Sequence, residues 1–386
     1  MAEGYDVAAY GRMAADRART EAYARALEAA VRPGCVVLDL GCGTGLFALL
    51  ACRFGARRVY AVEPGDALQV ARELARANGM EDRITFLQDV STRVELPERA
   101  DVVVADLRGA LPLFGQAIAT LADARRRLLA PGGVLVPRAD TLRAAPVEAA
   151  EAYRRIVAPW EEDHFGLEAG AARRRVVNAW TRERFEAEQL LAPPEVWTTL
   201  DYATREEADA RGALAWTAAR DGVAHGFAVW FDADLGGGIG YTTAPGAPPT
   251  VYGTAFFPWP RPVSLKGGDR VSVALEARMV GDDYVWLWES RIEGEGAAGF
   301  RQSTFHAAPL SPTRLARRAH DFRPALDEEG LIDRMALSWM DGRASLGEIA
   351  RELHAAFPAR FATWEAALTR VAELSDRYAR AEGGRP

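Results

Sequence analysis

Lysine is almost absent from this chain. Lys266 is the single lysine among 47 basic residues, so arginine carries nearly all the positive charge. That bias reads as the coding habit of a GC-rich genome rather than as a selected arginine surface. Acidic residues number 54 and leave a formal net charge of −7. An acidic chain is a poor nonspecific ligand for nucleic acid or an anionic membrane, and neither partner is expected. Cysteine is scarce too. Cys35, Cys42 and Cys52 fall in one early segment, with no C-x-x-C pair and no cysteine–histidine ligand spacing. Neither a disulfide framework nor a structural zinc is expected, and a reducing cytoplasm is the default location. No apolar run approaches the ~20 residues that span a bilayer, and the N-terminus lacks the apolar core of a secretory signal.

What remains is an ordinary globular composition, 49% apolar and 26% charged over 386 residues. At ~100–200 residues per domain, that length implies two or three domains. The first third alternates short apolar runs with amphipathic stretches. Val36–Leu40, Val59–Glu63, Ile84–Leu87 and Asp101–Asp106 read as strands, and Ala67–Asn78, ended by Gly79, reads as a helix. Such alternation implies a parallel sheet covered on both faces. Pro131-Gly132-Gly133 reads as a turn into a further strand at Val134–Val136. A helical stretch rich in Ala and Arg is expected from Val147 to roughly Leu191. Period-two runs such as Gly226–Phe231 and Arg270–Leu275 follow, between turns such as Gly236-Gly237-Gly238 and Pro245–Pro249. They imply an antiparallel sandwich or barrel. From Arg314 to about Arg380 the pattern is helical again, with Asp341-Gly342 as a turn.

The strongest local signal is Val37-Leu38-Asp39-Leu40-Gly41-Cys42-Gly43-Thr44-Gly45, a strand running into a glycine-rich turn and a helix. Glycines at 41, 43 and 45 let backbone amides approach a ligand closely at a helix N-terminus. Glu63 ends the next strand, where a carboxylate can accept bonds from both hydroxyls of a ribose. Asp89 ends the strand after it, where an adenine edge would lie. A nicotinamide dehydrogenase is the natural rival, but the spacing here is G-x-G-x-G rather than G-x-G-x-x-G. Asp39 in front of the loop suits a cationic ligand tail and would repel a pyrophosphate.

The string D-L-G-C-G-T-G resembles the first motif of class I S-adenosylmethionine-dependent methyltransferases. Within them the chain resembles the protein arginine methyltransferases, over about residues 5–305. Tyr5, Tyr10, Met13, Asp16, Arg19, Thr20 and Tyr23 match the spacing of that family's N-terminal helices, and Gly55–Val59 and Val94–Pro97 are similar as well. The resemblance implies S-adenosylmethionine as cofactor. It would be held by Tyr10, Met13, Arg19, Asp39, Gly41, Cys42, Gly43, Gly45, Leu46, Glu63, Asp89 and Val90, with Arg19 on its carboxylate. Trp160…Phe165-Gly166-Leu167 resembles the start of a dimerisation arm, which implies a homodimer. Ala224-His225-Gly226-Phe227 with Trp230-Phe231-Asp232 resembles the C-terminal barrel, with His225 as a packing residue.

The same resemblance exposes departures. The family grips its target guanidinium with two glutamates, in a pattern like S-E-x-M-G…Y-E-S. Here Asp106 stands at the first position and Gly115 at the second, and the T-H-W loop reads Thr250-Val251-Tyr252. A guanidinium held bidentately needs opposed carboxylates. The candidate catalytic residues are Asp106, to position a nucleophile or take its proton, and Arg108, to pair with it or hold an anionic group. Further on, the Met340-Asp341-Gly342…Ser345-Leu346…Glu348-Ile349-Ala350 pattern resembles winged-helix domains like the peptide chaperone of pyrroloquinoline quinone biosynthesis, which implies peptide binding.

The expected architecture is α/β. Cofactor-covering helices (1–30) precede a Rossmann-like cofactor domain (31–146), an arm with an antiparallel β-barrel (147–310) and a helical, winged-helix-like module (311–386). The expected function is methylation, at nitrogen or oxygen, of a peptide or peptide-derived natural product. Alternatives are an arginine N-methyltransferase, a small-molecule methyltransferase and a non-catalytic cofactor-binding scaffold.

Overall fold

Two aspartates set the entry of the chain. Asp6 caps α1 (Val7–Ala15) by accepting the Ala9 amide, and Asp16 caps α2 (Arg17–Ala30) by accepting the Arg19 amide. Each satisfies a donor that the start of a helix leaves open. The structure, a computed structural model, describes residues 6–162, 165–294 and 296–379, so Tyr5 lies outside the described residues. It divides into two compact units, Met1–Pro309 and Leu310–Pro386.

In the first unit strands and helices alternate: β1 (Val36–Leu40), α3 (Leu46–Arg53), β2 (Arg58–Val62), α4 (Ala67–Ala77), β3 (Ile84–Leu87), β4 (Ala100–Ala105), α5 (Ala117–Arg127) and β5 (Leu129–Val136). The strands make one parallel sheet in the order β3-β2-β1-β4-β5. Every residue of β1 is buried, as expected of a central strand covered on both faces. In such sheets ligands bind beyond the carboxyl ends of the strands, which here carry the glycine loop, Glu63 and Asp106. The Pro131-Gly132-Gly133 turn is absorbed into β5. Ala100 pairs with Leu129 and Val102 with Val134, so the intervening residues form an irregularity inside one strand.

The antiparallel part follows with β6 (Ala139–Val147), α6 (Ala150–Val157), α7 (Gly170–Val176), β7 (Thr181–Glu183), β8 (Glu195–Asp201), β9 (Ala210–Thr217), β10 (Gly222–Gly236), β11 (Ile239–Thr242), β12 (Thr254–Leu265), β13 (Arg270–Val280), β14 (Asp283–Glu293), β15 (Ala298–Ser303) and α8 (Thr304–Ala307). The expected barrel does not form. Among the described residues the strands form two sheets, β7-β12-β10-β6-β8 with β11 beside β10, and β15-β14-β13-β9, and neither closes. The break falls at β9, which ladders onto β13 instead of continuing the first sheet. The stretch expected to be helical up to Leu191 is also shorter. It ends at α7, and β7 pairs with β12 at the sheet edge.

Period-two patterning decides the packing. Phe227, Val229 and Phe231 of β10 enter the main core, while Ala228 and Trp230 face the other way, against Tyr153 and Val157 of α6. Each large apolar side chain so buried contributes roughly 1.5–3 kcal/mol. Gly226, at φ 153°, marks a register shift between β10 and β12. A Cβ there would lie 2.1 Å from the Phe257 carbonyl oxygen, so only glycine fits. His225, beside it, is buried, accepts the Ala149 amide on Nδ1 at 3.2 Å, and lies against Tyr153.

The second unit contains α9 (Pro312–Ala316), α10 (Glu328–Ser338), α11 (Leu346–Ala356) and α12 (Trp364–Tyr378). Ile332, Ala336, Ile349, Leu353, Phe361, Val371 and Leu374 form its core. Ser345 and Glu348 make the reciprocal capping box that starts α11, and Gly342 turns the chain before it at φ 84°. Among its described residues every regular element is a helix, so no wing of strands is present. No helix among the described residues is long and apolar enough to cross a membrane.

Candidate functional site

The glycine loop is a tight turn held by a carboxylate. Gly41, Gly43 and Gly45 take φ of 67°, 53° and 81°, values that L side chains adopt only at a cost. A Cβ on Gly43 would meet the Tyr10 ring at 2.3 Å, and one on Gly41 would meet Leu107 at 2.6 Å. Helix α1 thus brings Tyr10 over the loop, and the segment after β4 approaches it from the other side. Glu63, at the end of β2, accepts the Gly43 amide at 3.1 Å and the Gly65 amide at 2.8 Å. A carboxylate has about four acceptor positions, so this one keeps capacity for a ligand's hydroxyl groups.

Asp39 is the unusual group here. Its carboxyl is buried under the loop, and neither oxygen has a hydrogen-bond partner. Burial pushes its pKa up to about 7; the nearby Ala48 amide and Arg19 lower it, and Glu63 adds to the rise. A buried, partnerless carboxyl at a ligand loop is costly unless a cationic group arrives to pair with it. The cradle and this orphaned acid fit a ligand with an ammonium tail. Cys42 is also buried, and burial pushes its thiol up, so it is not a nucleophile at neutral pH. Leu46 opens α3 directly after Gly45.

The end of β4 is the reverse case. Asp106 accepts Arg19 Nε at 2.5 Å, Arg108 Nη1 at 3.1 Å and the Tyr252 hydroxyl at 2.5–2.6 Å. Burial alone would raise its pKa, but Arg19, Arg108 and Tyr252 together hold it below the usual aspartate range. A carboxylate so stabilised is a weak proton acceptor and a strong orienting charge. Arg108 turns away from solvent. It donates Nε and Nη2 to the two oxygens of Asp140, both at 2.8 Å, and Nη1 to the Tyr23 hydroxyl at 2.5 Å. Tyr202 donates to Asp140 at 2.6 Å, and the Arg108 guanidinium lies over Phe231.

The remaining expected cofactor residues divide. Tyr10 and Met13 lie on α1, and the Met13 carbonyl accepts Arg19 Nη1 at 3.1 Å. Arg19 thus binds Asp106, Tyr252 and Met13 and packs over Phe47. Asp89 and Val90 lie beyond β3, the first half-buried and the second exposed, and Asp89 is bonded to the Val90 amide and Arg93. Asp16 accepts the Val251 amide at 2.8 Å, fastening the Thr250–Tyr252 loop to the start of α2. Asp140, Tyr202 and Tyr241 belong to the cluster, yet nothing in the sequence marks them. Among the described residues, no group of three or more His, Cys, Asp or Glu is placed to hold a metal.

A parallel sheet of this order, with a G-x-G-x-G loop after β1, a partnerless buried acid before it and an acid ending β2, is the arrangement of the class I S-adenosylmethionine-dependent methyltransferases. Residues 16–143 match the family of ribosomal protein L11 methyltransferase (PrmA). A relative from Arabidopsis thaliana named probable protein arginine N-methyltransferase 6 is 31% identical over 234 residues, 58% of this chain and 54% of its own. Protein arginine N-methyltransferase 6 of Xenopus tropicalis is 30% identical over 244 residues, covering 60% of this chain and 72% of that protein. The chain belongs to the protein arginine N-methyltransferase family. It spans about half the length of the Arabidopsis relative. Among solved structures, the Trypanosoma brucei PRMT1 enzyme–prozyme heterotetrameric complex with AdoHcy superposes with a TM-score of 0.72 at 22% identity, over 77% of this chain and 98% of that one. Arabidopsis thaliana protein arginine methyltransferase 10 gives 0.69 at 22% identity, over 77% and 97%. These two likenesses concern the fold.

Proposed function

We propose that the protein is an S-adenosylmethionine-dependent methyltransferase acting on a protein or peptide acceptor. The observation that carries this reading is Asp39, a buried carboxyl without a partner beside three positive-φ glycines. Asp39 would take the ammonium of the cofactor, the loop amides its amino-acid portion, and Glu63 its ribose hydroxyls. When bound, that cofactor supplies an electrophilic methyl group and leaves as a neutral thioether, so no acid is needed for its departure. The chain's own task is then to orient a nucleophile in line with the methyl group. Asp106, ionised and fixed at the end of β4 next to β1, is the residue placed for that.

Family membership puts a protein arginine ahead of a peptide natural product as the acceptor. A nitrogen or oxygen nucleophile other than guanidinium is a second reading. It is favoured by Gly115, which brings no second carboxylate, and by the pairing of Asp106 with Arg19 and Arg108. A homodimer joined through the segment after α6 also belongs to this reading, because Phe165 and Leu167 are 99% and 74% exposed. Peptide binding by the helical second unit rests on its short motif alone. The test is methyl transfer from labelled cofactor to arginine peptides, other peptides and proteins, with calorimetry for cofactor affinity. Methylarginine among the products establishes the first acceptor reading. Absence of cofactor binding overturns the proposal.

A further inference from the structure

A pair of opposed carboxylates fit to grip a guanidinium is present in this protein, and its occupant is a residue of the same chain. Asp140 meets the Arg108 fork edge-on with two 2.8 Å bonds, and Asp106 meets Nη1 from another side at 3.1 Å. Tyr23 completes the shell, and Phe231 lies under the guanidinium plane. The Arg108 side chain is 3% exposed, and those of Asp106 and Asp140 are 7% and 0%. Two cations, Arg19 and Arg108, face two carboxylates, so the cluster is neutral without any ligand. One polar group in it is unmet: the Tyr241 hydroxyl is buried without a partner, on a ring stacked with Tyr252.

We infer that Arg108 is an internal competitor for the acceptor guanidinium, a specificity-determining residue that keeps the cradle of Asp106 and Asp140 filled. The inference rests on the end of β4 being the acceptor end, as proposed above. An incoming arginine side chain finds no free edge on either carboxylate, because Arg19, Arg108 and Tyr252 already donate to Asp106 and the Arg108 fork holds both oxygens of Asp140. It gains a charge-assisted fork only when Arg108 yields one. The native protein therefore binds arginine peptides weakly, and removal of the Arg108 side chain exposes a guanidinium-shaped site.

The experiment uses the full chain with Arg108→Ala, and Arg108→Ala with Asp140→Asn as the control lacking the second carboxylate. Millimolar methylguanidinium is the small probe, with equal sodium chloride for ionic strength, and an arginine-containing peptide is the large one. Expected are a rise in Tm of the single variant with methylguanidinium, absent in the control, and peptide binding at least about tenfold tighter than in the native protein. A purely structural Arg108 would leave peptide affinity unmoved, and that result overturns the inference. Should the single variant fail to fold alone, recovery of folded protein with methylguanidinium supports the cradle, and no recovery overturns it. The underlying reading fails separately. If methylguanidinium rescues the variant but neither protein transfers methyl groups to anything, the cradle stands and the methyltransferase assignment falls.

Discussion

Two carboxylates end neighbouring strands of one sheet and meet opposite fates. Asp39 on β1 is buried with no side-chain counter-charge bonded to it and only the nearby Ala48 amide to offset burial, and its pKa rises to about 7. Asp106, just past β4, is buried among two arginines and a tyrosine, and its pKa falls. The same residue type at the same depth thus marks two different design choices. Asp39 has no internal counter-charge, which is why the proposed cofactor site is placed there. Around Asp106 the charges are matched internally, and the result is a locked electrostatic cluster.

The same substitution at the two positions should act in opposite directions. Asp106→Asn removes the counter-charge of Arg19 and Arg108, and breaking a buried pair from one side costs about 3–5 kcal/mol. Urea unfolding should show that loss at neutral pH. Because the folded pKa of Asp106 is depressed, its contribution is present above the ordinary aspartate range and disappears as pH falls through the folded value. Cofactor affinity should fall with it, since Arg19 loses the partner that positions it. An Asp106→Asn protein as stable as the native one would mean that the cluster contributes specificity alone.

Asp39→Asn should move stability the other way. A carboxyl whose folded pKa is raised contributes stability that is complete below its unfolded pKa and is lost as pH rises through about 7. A tenfold change in proton affinity corresponds to about 1.4 kcal/mol, so the cost at pH 8 approaches ~4 kcal/mol as an upper limit. The buried amide that replaces it is also unpartnered, so the gain is smaller than that. The ligand-free native protein should lose Tm between pH 5 and 8, and the variant should not. Cofactor binding by the native protein should release a proton and weaken below pH 7, because the ammonium pairs with the ionised form. A flat pH profile of affinity would remove Asp39 from the site.

These two regions also differ in how far the sequence reveals them. The glycine loop is contiguous from Val37 to Gly45, with its ribose acid at the end of the next strand, so local pattern and spacing suffice. The acceptor cluster is assembled from Arg19, Asp106, Arg108, Asp140, Tyr202 and Tyr252. Arg108 and Asp140 are 32 positions apart, and Tyr202 and Asp140 are 62 apart. The sequence signals that two glutamates are missing from the loop after β4, but not that Arg108 folds inward onto an aspartate of β6. The open sheets are illegible for a related reason. Period two identifies β13 as a strand, and nothing local says that its Ala274 pairs with Ala213 of β9 across a long excursion. Residue-level pattern fixes faces, while the choice of ladder is made by tertiary packing.

A smaller effect sharpens the cofactor side. Glu63→Ala removes the acceptor for two backbone amides, Gly43 and Gly65, as well as the expected ribose contact. The loss in cofactor affinity should be about 1.5–3 kcal/mol, the range of hydrogen bonds to a charged group. Glu63→Gln keeps the shape and one acceptor oxygen, so it should restore part of the binding in calorimetry. Equal affinity in all three proteins would show that the loop holds its form without Glu63.

Tyr252→Phe is the mildest probe and tests how redundant the locked cluster is. The hydroxyl bonds Asp106 at 2.5–2.6 Å, while Arg19 and Arg108 stay in place when it is removed. Phenylalanine keeps the ring against Phe231 and stacked on Tyr241, so packing is conserved, and what is lost is the donor to Asp106 and a 3.1 Å acceptor for Arg19 Nε that Asp106 also supplies. The carboxylate remains ionised between two cations, and the cost should stay near ~1 kcal/mol, the net value of an ordinary hydrogen bond. Acid unfolding is the finer readout. With one stabilising donor gone, the folded pKa of Asp106 rises toward its ordinary value, and the acid transition should move to higher pH. A loss as large as that of Asp106→Asn would mean that Tyr252, rather than the pair of arginines, is what holds the cluster together.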